Sequence, residues 1–571
     1  MLALQTVRAA AVLIIVAAAV VALGILGARP AHATPYETFI DVDDQADLED
    51  LFAAGDITSD TYNELLDLLN VGVDLSTADR AELYALPNLT YDDVDRIIKY
   101  REKQNGIIGD PAGLVGAGAL SEEKLLSISA FIVISPKDDK LKIRGWMRAQ
   151  TRFAPRDRLL PPLSLRGRFS AKKHLQAGFA AVFSRLEIGS PIYDPNRGAL
   201  IAERRGYGAA LPKVFVKYED SKFSLIGGTY RAGFGQRLTF DNSQHYTPNG
   251  LYLDDELYYA GDLVRECRES SGELAASPCT GDAGGRYVTP DWNYREGLLG
   301  VGAGTKKLAL GTGWLQAYAW GSSSRRSIYQ YELVDRGQCE DPHDDTKSEC
   351  AAPTVFVRPD GPLLTPTTRF SFQTLPDVFV ENLVGGNVTY FADRRNAVGV
   401  TAYGASLTNL VDGIDLDTQE WSRLPTGGRY GAVGANFSLG KNWLDVFGEA
   451  ALSFDRLPDG PGAQQGGGGP AAVVRVTATK KKQELEGSVR YLSTDFVNPY
   501  ARPIAQSDEF DGQRARDEVG FRLCYYNTEK RLTVRALVDL WAPITKIDDG
   551  TGERLQRKLD SYVRGSTRMI S

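Results

Sequence analysis

The sequence is poor in the residues on which most enzyme and metal sites depend. Its 571 residues include 4 His, 5 Cys and 3 Met. His245 shares a polar stretch with Asp241 and Ser243, but no nucleophile motif surrounds it. The acidic stretch after Cys339 offers oxygen ligands to a hard cation, yet its spacing matches no calcium loop. We therefore expect no enzyme, no metal site and no cofactor.

Long apolar runs are also absent, except at the very beginning of the chain. Arg8 precedes an apolar run from Ala9 to Ala28, and Ala31-His32-Ala33 has the small-x-small form of a cleavage site. This pattern predicts a signal peptide over residues 1–33, and an uncleaved anchor is the alternative. No later run is long enough for a spanning helix, so further membrane contact must come from strands.

The few cysteines fall mostly into two local pairs. Cys267 and Cys279 bracket one polar loop, and Cys339 and Cys350 bracket another. Because an exported chain meets an oxidising compartment, both pairs are predicted disulfides. Cys524 is left over within a strand pattern and is expected to be a small packed residue.

Negative charge is concentrated near the amino terminus. Residues 35–137 contain 21 acidic and 7 basic residues, a net charge of −14. The stretch has helical rather than strand periodicity, with one helix predicted around Ser59 to Leu69. We expect a small all-α domain over residues 34–137, followed by a β domain over residues 138–571.

Part of this acidic stretch carries a family resemblance. It opens with Val73-Asp74-Leu75-Ser76-Thr77-Ala78, continues through Leu86-Pro87-Asn88-Leu89 and Ile97-Ile98-Lys99-Tyr100-Arg101, and ends with Ala119-Leu120-Ser121. These segments resemble the tandem helix-hairpin-helix module of bacterial competence DNA receptors, and the resemblance covers about 60 residues, roughly Val73 to Ile132. The resemblance implies two helical hairpins whose turns meet DNA phosphates through backbone N–H groups at helix N-termini.

The two hairpin turns depart from the family pattern. The family carries Gly-apolar-Gly there, whereas this chain has Asn88-Leu89-Thr90 and Ala119-Leu120-Ser121. Thr90 and Ser121 are predicted N-caps. Lost glycines hinder close approach of a phosphate, and the net charge repels a polyanion. Lys99, Arg101 and Lys103 are the candidate DNA contacts if the family function is retained.

The rest of the chain reads as repeated strand hairpins. Between Tyr430 and Asp455, one face carries apolar residues such as Val433 and Leu452, and the other carries Asp445 and Glu449. A period of two marks a sheet with one apolar and one polar face. Each arm has about ten residues, enough to cross a bilayer when tilted. A soluble sandwich is the alternative for any single hairpin.

Connection lengths favour a membrane barrel over a sandwich. Tight turns such as Gly440-Lys441-Asn442 alternate with long polar loops, which is typical of outer-membrane barrels. Sixteen arms are recognised, and a further hairpin near Ile328 to Val334 would raise the number to eighteen. The fold class is therefore mainly β, a transmembrane antiparallel barrel of 16 or 18 strands after a small all-α domain.

Two details near strand ends complete the pattern. The stretch Tyr230 to Leu238, interpreted as part of an arm over 223–238, resembles a Phe-Gly-Gln-containing strand of barrels that follow helix-hairpin-helix domains. The last residues, Arg568 to Ser571, lack a terminal aromatic residue. Either another assembly signal operates or the chain is incomplete.

The polar face of the arms predicts the lining of the lumen. The candidate lining residues are Lys142, Arg144, Arg148, Arg152, Arg166, Arg168, Asp445, Glu449, Arg522, Arg535 and Asp539. A barrel of this size is wide enough for a channel. We predict a pore or transporter in the bacterial outer membrane, with the acidic helical domain in the periplasm as a plug or docking module.

The alternative function is DNA binding and uptake through the helical domain. The expected partners are outer-membrane lipid and a periplasmic protein, with nucleic acid as partner only under the alternative. Substrate and oligomeric state do not follow from the sequence.

Overall fold

The structure is a computed structural model of the whole chain. It describes residues 36, 38–57, 59–133, 143–153, 160–171, 174–184, 188–203, 207–220, 222–243, 245–259, 291–294, 296–339, 348–358, 368–370, 374–419, 422–455, 468–480, 483–503, 516–529, 532–545, 547–548, 553–554 and 557–567. The predicted signal peptide and the Cys267 and Cys279 pair lie outside these residues.

Sixteen long strands form one closed barrel. In chain order they are β1 Ile143–Thr151, β2 Leu163–Ala171, β3 Leu175–Ser184, β4 Gly208–Glu219, β5 Phe223–Gly233, β6 Leu298–Leu310, β7 Gly313–Tyr329, β8 Thr374–Phe391, β9 Ala397–Asn409, β10 Arg429–Lys441, β11 Leu444–Asp455, β12 Pro470–Lys480, β13 Gln483–Leu492, β14 Glu518–Glu529, β15 Leu532–Ala542 and β16 Lys558–Thr567.

Each strand pairs with the next along the chain, and β16 lies beside β1 to close the sheet. A short seventeenth strand, Gly250–Leu253, pairs antiparallel with the end of β5. Closure removes the unpaired strand edges that an open sheet would present. The predicted antiparallel barrel of about sixteen strands is confirmed.

Alternate residues along the strands differ sharply in burial. On β11, Asp445, Glu449 and Ser453 are buried, whereas Leu452 and Phe454 are 51% and 45% exposed. The same apolar exposure recurs around the barrel, at Met147, Val216, Val301, Val384, Val400, Val433, Val538, Leu559 and Val563. The polar face therefore points inward and the apolar face outward.

Short turns gather at one end of the barrel and long connections at the other. The short connections are 172–174, 220–222, 311–312, 392–396, 442–443, 481–482 and 530–531, and every other connection has more than ten residues. Both the first and the last barrel strand have their free ends on the short-turn side, so the chain before β1 approaches from there.

Three predicted strand positions need correction. The arm predicted over 223–238 ends at Gly233, because Phe234 and the residues after it turn into the lumen. The sequence alternation predicts two arms over 296–303 and 308–320, but the turn between these strands lies at 311–312. Ile328 belongs to β7, and Leu333–Asp335 pairs with Leu416–Thr418 outside the barrel, so this stretch adds no barrel hairpin.

Residues 36–133, termed the helical segment, precede the barrel. Its helices are α1 Gln45–Ala53, α2 Ser59–Val71, α3 Arg80–Tyr84, α4 Tyr91–Lys103, α5 Ala112–Gly116 and α6 Glu122–Ile128. The expected N-caps are confirmed: Thr90 caps α4 with Asp93 completing a capping box, and Ser121 caps α6. These side chains bind N–H groups that the first helical turn leaves without partners.

The helical segment has its own apolar core and a tie between its two ends. Leu65, Leu83, Val94, Leu114 and Phe131 are among its buried residues. Val73 and Asp74 pair in parallel with Ile132 and Val133. Phe447 of β11 also packs into this core, so the helical segment and the barrel share apolar contacts.

The long connections form smaller sheets of their own. Ile192–Asp194, Ala199–Glu203, Val355–Arg358 and Thr368–Phe370 make one four-stranded sheet. The disulfide between Cys339 and Cys350 is present, as predicted, and Cys524 is a buried free thiol. These elements lie over the long-loop end of the barrel.

Candidate functional site

The interior of the barrel contains residues from two regions outside the sixteen long strands. One is the helical segment, which enters from the short-turn end. The other is residues 234–257, termed the inward segment, which follows β5 and contacts opposite strands of the wall. The candidate site is the inner wall together with the groups that these two segments bring against it.

Arg80 of α3 joins the helical segment to the barrel wall. Its Nη1 and Nη2 donate to the Asp445 carboxylate at 3.3 and 3.0 Å, and its Nε donates to Asp95 at 2.8 Å. The guanidinium also lies 4.3 Å from the centre of the Tyr91 ring. Burial by itself lowers the pKa of Arg80, but the two carboxylates more than offset this and raise it. The arginine therefore stays charged between two acids.

Tyr84 and Tyr91 form a second contact with the wall. Their rings are stacked with centroids 3.8 Å apart, and the Tyr84 hydroxyl donates to Glu484 Oε1 at 2.6 Å. Burial, reinforced by the Glu484 carboxylate, raises the pKa of the Tyr84 phenol well above its usual value. The phenol therefore keeps its proton and remains a hydrogen-bond donor.

Further polar contacts surround these two. Arg394, in the turn between β8 and β9, lies 2.9 Å from Glu102. Arg564 of β16 binds Asp56 in the α1–α2 connection. All the barrel residues involved lie near the short-turn end, so the helical segment occupies that mouth.

The inward segment is held on β11 by one carboxylate. Glu449 accepts the backbone N–H groups of Gln236, Leu238 and Thr239 at 2.5, 3.2 and 2.8 Å. It also accepts the Thr239 hydroxyl at 2.5 Å. The adjacent Gly235 has φ +63° and leaves no space for a side chain, because a Cβ would lie 2.6 Å from Glu449. Only glycine fits this left-handed position so close to the acid.

The middle of the inward segment reaches β13. The Tyr246 hydroxyl donates to Glu486 Oε1 at 2.5 Å, and Glu486 also accepts Arg475 Nη1 at 3.1 Å. Burial, together with the Glu486 carboxylate, raises the pKa of Tyr246 well above its usual value. Arg475 lies between the Tyr246 and Phe447 rings, 4.9 and 4.4 Å from their centres.

The far end of the inward segment neutralises cations on β2, β4 and β5. Asp255 accepts Arg166 Nη2 at 3.1 Å and Arg168 Nη2 at 2.8 Å. Asp254 accepts Arg231 Nη2 at 3.0 Å and also binds Lys213. These acids are buried, so the inward segment is attached to the wall at both ends by charge.

An aromatic cluster lies between the two attachments and the long-loop end. It comprises Phe234, Phe240, Tyr318, Trp320, Tyr403, Tyr430 and Tyr500. Glu381 accepts the hydroxyls of Tyr430 and Tyr500 at 2.7 and 2.5 Å, and Arg326 Nη2 at 3.0 Å. Pairing satisfies the buried carboxylate and the guanidinium together.

The predicted lining residues fall in different surroundings. Lys142 lies outside the described residues, Arg144 contributes only its backbone to the description, and Arg152 lies beyond the end of β1 and is exposed. Asp539 is buried against Arg490 at 2.8 Å. Arg522 lies 3.9 Å from Asp539 and keeps some solvent access. The remaining six lie on the inner face of the barrel wall: Arg148, Arg166, Arg168, Arg535, Asp445 and Glu449.

The three candidate DNA-contact residues are not equivalent. Lys99 and Lys103 are exposed, but Arg101 is buried and its Nη1 donates to the carbonyls of Leu75 and Ala78 at 3.0 and 2.7 Å. Asn88 has φ +62° and is 2% exposed, with its side chain bound to the backbone of Ile40. The first family-like turn is therefore covered by the chain's own amino-terminal stretch.

Several functional residues were missed by sequence reasoning. Arg80, Glu484, Glu381 and Tyr500 are central to the contacts, yet none stands out in the sequence. One signal was available: Asp254-Asp255-Glu256 is an acidic run in a chain whose arms are rich in arginine. Complementary charge predicts that the two would meet.

No protein-family model and no curated protein matches this chain. Among solved structures, a ferric enterobactin receptor variant from Pseudomonas aeruginosa is 10% identical with a TM-score of 0.33, covering 76% of this chain and 61% of that receptor. An outer-membrane protein of Escherichia coli capsule assembly, described as a carbohydrate-binding barrel, is 11% identical with a TM-score of 0.25, over 89% and 96% of the two chains.

A porin from Rh. blastica is 9% identical with a TM-score of 0.22, over 74% of this chain and all of that one. These similarities are too low to support an argument about this chain. Within the described residues, no helix combines the length and hydropathy needed to cross a bilayer, and no cluster of potential metal ligands occurs.

Proposed function

We propose that the chain is a bacterial outer-membrane transporter whose barrel is closed at rest from the periplasmic side by the helical segment. The short-turn end would face the periplasm and the long connections the exterior. The inward segment forms a second closure within the lumen. Solute passage would then require one or both segments to move.

The membrane location rests on the outer surface of the barrel. Large apolar side chains are exposed on most of its strands, such as Val301, Val384 and Val563 at 65%, 69% and 79%. Water does not favour an apolar belt of that extent, whereas lipid does. In a closed sheet, the backbone N–H and C=O groups of each strand form hydrogen bonds with neighbouring strands. This is the condition for crossing a bilayer with strands.

The observation that carries the closure is the position of Arg80. A guanidinium buried between Asp95 of the helical segment and Asp445 of the wall loses hydration that only these partners replace. The Tyr84 hydrogen bond to Glu484 adds a second specific contact on the neighbouring part of the wall. Such matched buried groups are typical of a defined docked state.

The alternative function, DNA uptake, would need backbone groups of the hairpin turns to reach phosphate. The buried turn at Asn88 and the internal hydrogen bonds of Arg101 argue against it in this arrangement. Lys99 and Lys103 are the two exposed cations that remain from the candidate cluster.

Planar-bilayer recording tests the closure. The full chain should show small or rare conductance steps, and the double variant Arg80→Ala/Tyr84→Phe should open several-fold more often, because both docking contacts are lost. The control, Lys99→Ala/Lys103→Ala, changes exposed residues of the same segment and should behave like the original chain. A large, steady conductance of the unaltered chain, equal in both variants, would overturn the proposal.

A further inference from the structure

Four consecutive strands of the inner wall carry arginines in directly opposed positions. In the register of β15 with β16, Arg535 faces Arg564. In the register of β1 with β2, Arg148 faces Arg166. Strands β16 and β1 are neighbours in the closed barrel, so the two pairs occupy one region of the wall. Like charges opposite each other on a sheet destabilise it.

One arginine of each pair forms an ion pair with a closing segment, and the other forms no ion pair among the described residues. Arg564 binds Asp56 of the helical segment, and Arg166 binds Asp255 of the inward segment. Among the described residues, Nε and Nη1 of Arg535 and Nη1 of Arg148 are buried and meet no acceptor, as does Nε of Arg166, but only Arg166 also has an ion-pair partner. A buried donor without an acceptor costs about 1–3 kcal/mol, more when it is charged.

Arg535 has the features of a prepared anion-binding group. It is 9% exposed, and its guanidinium lies 4.8 and 5.6 Å from the ring centres of Tyr526 and Tyr562. These cation–π contacts hold the guanidinium in place but supply no acceptor to its Nε and Nη1 groups. Arg148 lies similarly, 5.5 Å from the Trp146 ring centre.

Solvent reaches this region of the inner wall. Tyr562 is 37% exposed although it faces inward on β16, and Trp146 and Arg148 are only half-buried. Asp539 and Asp560 are opposed on the same two strands as Arg535 and Arg564, four residues nearer the long-loop end. Four residues of strand span about 13 Å. These acids therefore lie at the edge of the basic region and do not neutralise it.

We propose that the inner wall at β15, β16, β1 and β2 binds small anions that carry phosphate or carboxylate groups. Arg535 and Arg148 donate to the ligand, while Arg564 and Arg166 stay paired with the acids of the closing segments. The proposal deepens the proposed transport function by naming the substrate class. Failure of this proposal can be distinguished from failure of the transport proposal, because anion binding to the wall is measured without any conductance.

The test is calorimetric titration of the full chain in detergent with inorganic phosphate and, separately, with succinate. Arg148→Gln/Arg535→Gln should weaken binding of at least one probe about tenfold or more, since two charge-assisted donors are lost. The matched control is Arg325→Gln/Arg429→Gln, which removes the same charge from exposed strand positions. It should bind as the original chain does. Equal affinity in all three proteins, or no binding of either probe, would overturn the proposal.

Fluorescence quenching of Trp146 provides a second measurement in case the double variant Arg148→Gln/Arg535→Gln folds poorly. Trp146 lies beside Arg148 and 5.8 Å from Arg166, so its fluorescence reports the local charge. Its contribution is isolated by subtracting the spectrum of Trp146→Phe. Iodide should quench it several-fold less after the single change Arg148→Gln, which removes the positive charge beside the indole ring, while neutral acrylamide should quench it equally. Unchanged iodide quenching would contradict an anion-attracting site.

Discussion

Two parts of the barrel wall differ in how their buried charged groups are paired. The wall formed by β11 and β13 is acidic, and each of Asp445, Glu449, Glu484 and Glu486 receives donors from the helical or inward segment. The wall from β15 through β2 is basic, and only part of its charge is met by Asp56 and Asp255. Carboxylates that all receive donors suit closure, and buried guanidinium groups without an ion pair among the described residues leave capacity for a ligand.

The largest expected effect is on the acidic wall. Glu449→Ala removes the acceptor of three backbone N–H groups and one hydroxyl, so we expect the free energy of unfolding to fall by about 4 kcal/mol. Urea titration of the refolded barrel measures this. Glu122→Ala, at an exposed position of α6, is the control and should leave the midpoint nearly unchanged. If Glu449→Ala lost less free energy of unfolding than Asp255→Asn does, the contrast between the acidic and the basic wall would be wrong.

A smaller loss is expected where the inward segment meets the basic wall. Asp255→Asn leaves Arg166 and Arg168 without their shared carboxylate and should cost about 3 kcal/mol. Limited proteolysis should also cut the inward segment faster. Adding phosphate should recover part of the stability if the wall binds anions. Stability equal to that of the original chain would show that these arginines are hydrated in place.

The smallest expected change is an increase, rather than a decrease, in the free energy of unfolding. Arg535→Gln removes one of two opposed arginines and should raise the free energy of unfolding by up to about 1 kcal/mol in phosphate-free buffer. In phosphate the gain should shrink or reverse, because the original chain is stabilised by its ligand. A pronounced destabilisation in both buffers would instead assign Arg535 a packing role against Tyr526 and Tyr562.

Much of the architecture was predictable from local patterns. The alternation in residues such as Val433 and Asp445, together with the tight turn between these two arms, depends only on strand geometry and turn chemistry. The turn lies at 442–443, slightly later than the predicted Gly440-Lys441-Asn442, because the strand continues through Lys441. The N-caps Thr90 and Ser121 were equally local. Strand ends were less predictable: the apolar alternation passes through Phe234, but the chain leaves the sheet at Gly233 because the lumen offers it a partner in Glu449.

The partners of the lining residues were not predictable in the same way. Asp445 lies 365 residues from Arg80, and Glu484 lies 400 residues from Tyr84. A period of two indicates that a residue faces inward, but not which segment will meet it there. Arg101 shows the converse, since its place in a basic cluster gives no sign that two carbonyls already bind it.

The sequence by itself determined the antiparallel barrel, its two kinds of connection, the helical segment before it and the disulfide between Cys339 and Cys350, because each depends on spacing within short stretches. The tertiary structure decided that residues 234–257 turn inward, that Arg80 and Tyr84 meet the acidic wall, and that Arg148 and Arg535 keep donors unmet by any described residue. Burial sets those outcomes: a charge removed from water needs a partner, and only the closed barrel fixes which groups are near enough to serve.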